Sequence, residues 1–377
     1  MSRFDPSTLR RLVVKVGSAL LVDDEQQFAA HSLHGLAEDI AGLSRRGCEV
    51  LVVSSGAVAI GCRELGIDRR RARLDELQAA AAAGQVQLVN AWQDALDRYR
   101  LRTAQILLTP DDTEHRPRYL NARGTLLKLL EHGVVPVINE NDTVATDELR
   151  YGDNDRLAAR VAQMVMADGL VLLSDVDGLY SADPRQDPSA GRIDEIAVID
   201  ESVLAMASGS GSAMGSGGMR TKVEAARIAT HAGCSTVVAS GRTPRPLQAL
   251  IDGAACTVFV AGDSPAAIRK QWLAGRLETR GSLSVDDGAV SALGNGSSLL
   301  PVGVQSVSGD FRRGDAVALV DGRGVERGRG LVCYDADEIR KIAGCRSQDI
   351  AARLGYGGRP VVVHRDDLVV FPDRMTT

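Results

Sequence analysis

The sequence lacks any paired pattern of cysteines. Its six cysteines include no CxxC pair and no run with metal-ligand spacing. They are Cys48, Cys62, Cys234, Cys256, Cys333 and Cys345. This scatter argues against a metal site. We interpret the cysteines as small buried side chains or unreactive thiols in a reducing compartment.

Long apolar runs are also missing. No stretch approaches the roughly 18 apolar residues that span a bilayer, so we expect no membrane partner. The opening residues, MSRFDPSTLRRLVVKVG, have neither a signal-peptide h-region nor a small-residue cleavage site. We therefore expect a cytoplasmic protein.

Two common nucleotide-binding signatures are absent. The dipeptide Gly-Lys never occurs, which excludes a Walker A loop, and no GxGxxG follows a predicted strand. The net charge of −5 argues against a polyanion-binding protein as the first interpretation. Any phosphate site must therefore be built from local cations and backbone amides.

The chain does contain regularly alternating apolar segments. Short continuous runs, typical of a parallel sheet covered on both faces, alternate with helical patterns up to about Val260. The predicted strands are Leu12–Val16, Val50–Val53, Ile106–Leu108, Val134–Ile138, Leu170–Leu173, Thr236–Ala239 and Thr257–Val260. The predicted helices are Leu33–Arg46, Val58–Leu65, Leu74–Arg98, Tyr119–His132, Asp155–Met166 and Met219–His231. This order predicts an α/β fold with a doubly wound, mainly parallel sheet, which binds ligands at the carboxyl ends of its strands.

The alternation of strands and helices ends after about Val260. Short β-like runs with Gly-rich turns predict a small β-barrel-like domain with a few short helices. The runs are Ser282–Val285, Val302–Val307, Ala316–Val320, Gly330–Tyr334 and Pro360–His364. We predict an α/β domain over residues 1–262, a linker over 263–280, the β domain over 281–371 and a tail over 372–377.

Three glycine-bearing loops lie where a phosphate could bind. One holds Lys15 and Gly17, the second holds Ser55 and Gly56 before a helix, and the third runs over residues 215–222. The free N–H groups of a helix N-terminus can bind an anion. Only five of the 44 basic residues are lysine, and two of the five fall in these loops. A compact ammonium fits between phosphate oxygens where a guanidinium often does not.

Carboxylate and amide side chains cluster near the same predicted edge. Residues 139–142 (Asn-Glu-Asn-Asp) follow a strand, and residues 152–155 (Gly-Asp-Asn-Asp) precede a helix. A third segment, residues 173–180, leaves another strand and could line a nucleotide or bind a divalent ion, although its spacing is not that of an EF-hand. Helix capping explains part of the second segment but needs fewer capping residues than are present.

Taken together, these segments resemble the amino acid kinase family, and within it the members that phosphorylate glutamate. The resemblance runs in order through VVKVGS, VSSGAVAIG, LNARGTL, PVINENDTVAT, YGDNDRLAA, LLSDVDGLYSADPR and GSGGMRTKVEAA. The later GSSLLPVGVQSVSGDF and KIAGCRSQDI resemble a PUA domain. Ser174 and Ser216 stand where the family often has Thr, which keeps the hydroxyl.

The resemblance implies a set of site residues. Catalytic roles fall on Lys15, Lys222 and Asp155. Contacts to ATP fall on Lys15, Gly17, Ser174, Asp175, Ser216, Gly217, Gly218, Met219, Arg220, Thr221 and Lys222. Contacts to L-glutamate fall on Ser55, Gly56, Asp142, Asp153 and Asn154. Mg²⁺ is expected with ATP, without an assigned protein ligand.

The resemblance also implies a pathway and a regulator. The product would be L-glutamyl 5-phosphate, the first intermediate toward proline, with proline as the feedback inhibitor. A homo-oligomer, either a dimer or a tetramer, is expected.

Two other functions compete with this one. PUA domains are common in RNA-modifying enzymes, but residues 281–377 hold 12 Lys and Arg against 13 Asp and Glu, which argues against RNA. A small patch of Arg323, Arg327 and Arg329 keeps that alternative open. A catalytically silent amino-acid sensor is disfavoured because both lysines and the segment 152–155 are intact.

Overall fold

The computed structural model describes residues 4–21, 30–144, 154–184, 186–207, 218–275 and 278–371. The chain divides into two compact units, Met1–Pro265 and Ala266–Thr377. Among the helices of these described ranges, none combines the length and the apolarity needed to cross a membrane.

The described residues of the first unit are built on one eight-stranded sheet. Its strands are β1 Arg11–Val16, β2 Glu49–Ser54, β3 Arg102–Leu108, β4 Val134–Glu140, β5 Gly169–Ser174, β6 Glu195–Ile196, β7 Ser235–Ser240 and β8 Cys256–Phe259. The spatial order is β3-β4-β2-β1-β5-β7-β8-β6. Neighbouring strands are parallel except for the antiparallel pair β7 and β8. The predicted fold class, a doubly wound and mainly parallel sheet, is confirmed.

Helices cover both faces of this sheet. They are α1 Ser18–Leu21, α2 Ala30–Arg45, α3 Ala57–Glu64, α4 Leu74–Asp97, α5 Pro110–Glu114, α6 Arg116–Glu131, α7 Asn154–Val165, α8 Glu201–Met206, α9 Met219–His231 and α10 Pro246–Asp252. Because strand residues alternate between faces, the central strand β1 contributes side chains to two separate hydrophobic cores, one on each face of the sheet. Leu12, Val14 and Val16 pack with α2, α4 and α10, whereas Val13 packs with α7 and α9. Lys15 shares the parity of Val13 and so faces α7 and α9.

Two strands differ from the sequence expectation. Ile106 and Leu107 of β3 are only half-buried, because β3 forms an edge of the sheet built by the described residues. The two-residue strand β6 lies at the opposite edge and has no apolar run long enough to predict it.

Helices α3 and α4 touch backbone to backbone. A Cβ built at Gly61 would lie 1.7 Å from the carbonyl oxygen of Ala80, and one at Gly84 would lie 2.0 Å from that of Ala57. Only glycine fits at either position, since any larger side chain would force the helices apart. This contact brings the middle of α4 close to the carboxyl edge of the sheet.

The second unit contains a separate five-stranded sheet. Its strands are β9 Gly281–Val285, β10 Val304–Gly309, β11 Ala316–Val320, β12 Glu326–Val332 and β13 Val363–Val370, in the order β10-β9-β11-β12-β13. Its helices are α11 Pro265–Gly275, α12 Asp287–Gly294, α13 Ala336–Ile342 and α14 Ile350–Leu354. All neighbouring strand pairs are antiparallel except β9 and β11. The segment predicted as a linker contains α11, whose Leu273 packs on Ala316 and Leu331 of this unit.

Candidate active site

Two buried lysines meet on one buried carboxylate at the carboxyl edge of the first sheet. Lys15 Nζ of β1 lies 2.7 Å from Oδ1 of Asp155, and Lys222 Nζ of α9 lies 3.2 Å from Oδ2. The hydroxyl of Thr221 donates to the same Oδ2 at 2.8 Å. We call Lys15, Asp155 and Lys222 the charged triad. The sequence predicted these three together, and the structure brings them into direct contact.

The triad is electrostatically unbalanced. Burial by itself raises the pKa of Asp155, but the charges of Lys15 and Lys222, with hydrogen bonds from Lys15 and Thr221, outweigh it and hold that pKa below its ordinary value. Asp155 is therefore ionised at neutral pH. Two ammonium groups and one carboxylate leave a formal excess of one positive charge. Such a buried excess suits an anionic ligand at this edge.

A small open space lies beside Lys15 at Gly17. A Cβ built at Gly17 would make only ordinary contacts, 3.6 Å from the carbonyl oxygen of Leu173 and 3.7 Å from Lys15 Nζ. The protein packing therefore does not itself require glycine here. The missing side chain leaves room next to the ammonium group.

Two helix N-termini border the same edge. Gly56 precedes α3 with a φ of 113°, a left-handed conformation that favours glycine. Gly218 precedes α9, whose first turn carries Thr221 and Lys222. The first N–H groups of both helices have no partner within their helix, which is the property that anion sites exploit.

The remaining predicted nucleotide contacts lie outside the charged triad. Ser174 ends β5, next to β1 in the sheet, and its buried hydroxyl donates to the exposed Asp175 at 3.1 Å. Arg220 is exposed and pairs with Glu224 at 3.1 Å. Met219 is half-buried and packs against the core under α9. The positions predicted at Ser216, Gly217 and Asp153 lie outside the described residues.

A chain of neutral side chains forms the other end of the site. Asn154 Nδ2 donates to Ser55 Oγ at 2.8 Å and to Asn139 Oδ1 at 2.9 Å. Asn139 Nδ2 in turn donates to Gln85 Oε1 at 2.8 Å. Ser55 and Asn154 were predicted as substrate contacts. Asn139 fell in a segment singled out from the sequence, whereas Gln85 was missed.

Asp142 lies in a short 3₁₀ helix, Asp142–Val144, that follows β4. Burial raises its pKa to about 6, and the positive charge of Arg69 opposes this rise. A carboxylate that is partly desolvated but ionised at neutral pH is suited to hold a substrate ammonium group. The surroundings of Asp142 are thus compatible with the predicted substrate contact.

The two domains match known families. Residues 10–240 match the amino acid kinase family, and residues 281–354 match the PUA domain.

The chain is similar to proteins named glutamate 5-kinase in several bacteria. The protein of Rhizobium johnstonii is 54% identical over 361 residues, which cover 96% of this chain and 93% of that protein. The protein of Paramagnetospirillum magneticum is 55% identical over 362 residues, covering 96% of this chain and 98% of that protein. The chain therefore belongs to the amino acid kinase family, in its glutamate 5-kinase group, and carries a C-terminal PUA domain.

Proposed function

We propose that the protein transfers the γ-phosphoryl group of ATP to the side-chain carboxylate of L-glutamate, forming L-glutamyl 5-phosphate and ADP. The names of its relatives support this substrate. The observation that carries the proposal is the charged triad, in which two ammonium groups share one carboxylate. The product is the first intermediate toward proline.

The acceptor needs no general base. A glutamate side chain has a reference pKa of about 4.3, so its carboxylate is already ionised at neutral pH. One carboxylate oxygen attacks the γ-phosphorus, the bond to the β,γ-bridging oxygen breaks, and ADP leaves with those electrons. No proton changes hands in this step.

The main obstacle is repulsion between the anionic acceptor and the triphosphate. Catalysis of phosphoryl transfer depends on in-line positioning and on neutralising charge at the transferring group. Lys15 and Lys222 supply two positive charges from different elements of the fold, β1 and α9. The space beside Gly17 and the N-terminus of α9 would receive phosphate oxygens.

Asp155 positions the lysines and takes no proton from the substrate. Both of its carboxylate oxygens are engaged, and its pKa lies below the ordinary value. Its charge-assisted bonds fix two flexible side chains in one geometry. Asp155 is therefore an organising group for the triad.

The neutral end of the site would hold the amino acid. The hydroxyl of Ser55 and the N–H groups near Gly56 suit the α-carboxylate, and Asp142 suits the α-ammonium. Asn154, which bonds to Ser55, completes this set, and Asp153 is proposed alongside it from the sequence. The charged triad then lies near the side-chain carboxylate of the bound glutamate, and Ser55, Asp142 and Asn154 lie near its α-amino and α-carboxylate groups.

Mg²⁺ would neutralise charge on the β- and γ-phosphates. Within the described ranges, no group of three or more His, Cys, Asp or Glu side chains could hold a metal ion. Magnesium often keeps several waters and binds through substrate phosphates with few protein ligands. This behaviour fits an ion that enters on the nucleotide.

The surface of the PUA domain offers little support for RNA binding. Arg327 pairs with Asp321 at 2.7 Å, and Arg329 pairs with Glu326 at 2.6 Å. Two members of the predicted arginine patch thus already have acidic partners. We propose a role in assembly or regulation for this domain, within a cytoplasmic dimer or tetramer that proline inhibits.

The test is an assay of ADP release from Mg·ATP. L-glutamate, L-aspartate, N-acetyl-L-glutamate and no acceptor are compared in parallel, with hydroxylamine present to trap an acyl phosphate. We expect ADP release and a γ-hydroxamate with L-glutamate only. Turnover of another acceptor would transfer the mechanism to that substrate, and folded protein that releases no ADP with any of them would overturn the proposal.

A further inference from the structure

A hydrogen-bonded chain of amides runs from the predicted substrate contact Asn154 through Asn139 to Gln85. Asn139 has the parity of Val135 and Val137, which pack on the face of the sheet covered by α4. Asn154 begins α7, which covers the opposite face. The amide chain from Gln85 to Asn154 therefore passes around the carboxyl edge of the sheet.

Every amide in this chain is deeply buried. The exposed fractions are 7% for Gln85, 2% for Asn139 and 8% for Asn154. Buried amides normally satisfy their donors and acceptors. At the two ends of this chain, however, Asn154 Oδ1 and Gln85 Nε2 have no hydrogen-bond partner among the described residues.

The bonds of Asn154 fix the orientation of its amide. Both of its N–H groups are used, one by Ser55 Oγ and one by Asn139 Oδ1. Rotating the amide by half a turn would place its oxygen against Asn139 Oδ1, which can only accept. Asn154 Oδ1 is thus held as a buried acceptor that could accept a hydrogen bond from a ligand.

The orientation of Asn139 depends in turn on Gln85. A chain of amides has two self-consistent directions, and in the observed one Gln85 is the terminal acceptor. Gln85 Oε1 accepts from Asn139 Nδ2, which leaves Asn139 Oδ1 to accept from Asn154. Without an acceptor at position 85, Asn139 and Asn154 could both reverse, and Asn154 would then present a donor.

Resting on the proposed function, we propose that Gln85 is a positioning residue for substrate recognition. It acts through Asn139 to hold Asn154 Oδ1 as the acceptor for the α-ammonium group of glutamate. The same chain makes Ser55 Oγ an acceptor from Asn154, so the hydroxyl proton points elsewhere and can bind the α-carboxylate. The described hydrogen bond of Gln85 is to Asn139 and does not involve the charged triad.

The test compares Gln85→Met, which removes the acceptor at similar volume, with Gln85→Glu, which keeps an acceptor. For each variant, kcat and KM are measured with L-glutamate and with glutarate, which lacks the α-ammonium group. We expect Gln85→Met to lower the preference for glutamate over glutarate by about tenfold, the size of one well-placed hydrogen bond to a charged group. The change should fall in KM for glutamate, with KM for ATP unchanged.

Gln87→Met is the matched control, because Gln87 is exposed on the same helix and bonds to Glu64. It should match the unaltered protein, and Gln85→Glu should keep the glutamate preference within about threefold. If Gln85→Met does not accumulate as folded protein, Gln85→Leu takes its place. A lowered melting temperature with an unchanged glutamate-to-glutarate ratio would overturn the inference and leave the proposed function intact. An unaltered protein that ignores glutamate would instead overturn the proposed function.

Discussion

Lys15 and Lys222 bind opposite oxygens of a single carboxylate, at 2.7 Å from Oδ1 and 3.2 Å from Oδ2 of Asp155. They are contributed by a strand and a helix that are far apart in the chain. All three side chains are almost fully shielded from water. In such surroundings a positive charge acts on a ligand much more strongly than it would at the surface. This arrangement leads to the first two predictions.

Lys222→Met should lower kcat by about 10²–10³-fold, in the range found when one preorganised stabilising group is removed. KM for glutamate should change little, because the ammonium group acts on the transferring phosphoryl group. Lys128→Met is the control, since Lys128 is exposed and pairs only with its neighbour Glu131 among its described contacts. An effect of Lys222→Met confined to KM for glutamate would show that the assignment is wrong.

Asp155→Asn should lower the free energy of unfolding by about 3–5 kcal/mol, because it removes the buried carboxylate that pairs with both ammonium groups. Urea denaturation without ligands measures this. Asp75→Asn, which alters an exposed pair with Arg73, should change it by no more than about 0.5 kcal/mol. Because the pKa of Asp155 is lowered in the folded state, its contribution is present at neutral pH and is lost as pH falls through that pKa. Equal losses in both variants would argue against the triad.

The raised pKa of Asp142, about 6, predicts a pH dependence. Above pH 6 its carboxylate is ionised and can bind the substrate ammonium, whereas below pH 6 protonation removes that attraction. The kcat/KM for glutamate should fall by about tenfold per pH unit below this pKa. The substrate carboxylate, with a reference pKa of about 4.3, titrates too low to cause this. Asp142→Asn should lower kcat/KM and abolish the dependence between pH 5 and 7, and a persisting inflection near 6 would point to another group.

Two glycines should respond to alanine in opposite ways. Gly17→Ala should leave the melting temperature unchanged but raise KM for ATP by roughly tenfold, since its methyl group fills the space beside Lys15 Nζ and such overpacking costs about 1–3 kcal/mol. Gly84→Ala should instead lower the free energy of unfolding by about 1–3 kcal/mol, because the added Cβ would collide with the backbone of α3. Thermal unfolding and ATP titration on both variants separate the effects, and the reverse result would contradict both assignments.

The main strands were visible in the sequence because a sheet covered on both faces produces unbroken apolar runs. The partial exposure of β3 was not visible, since being at the edge depends on strand order and not on local sequence. The charged triad was identified through family resemblance. Nothing in the spacing of Lys15, Asp155 and Lys222 along the chain shows that they converge.

Gln85 was missed for a different reason. It lies in an alanine-rich helical pattern with several other glutamines, where a polar side chain is usually exposed. The available signal was its neighbour Gly84, because a glycine inside a helix often marks a close approach of another backbone. A polar residue next to such a glycine lies close to the element that packs against the helix, here α3.

The alternation of β1 has a consequence for how this protein can change during evolution. Lys15 faces α7 and α9 only because it is an even number of residues from Val13 and an odd number from Val14. Inserting or deleting one residue within β1 would turn the ammonium group into the apolar layer beneath α2 and α4. Compensating point mutations could not restore the triad, since the partner carboxylate would remain on the other face. The length of this strand should therefore be invariant among active relatives, while loops elsewhere grow and shrink.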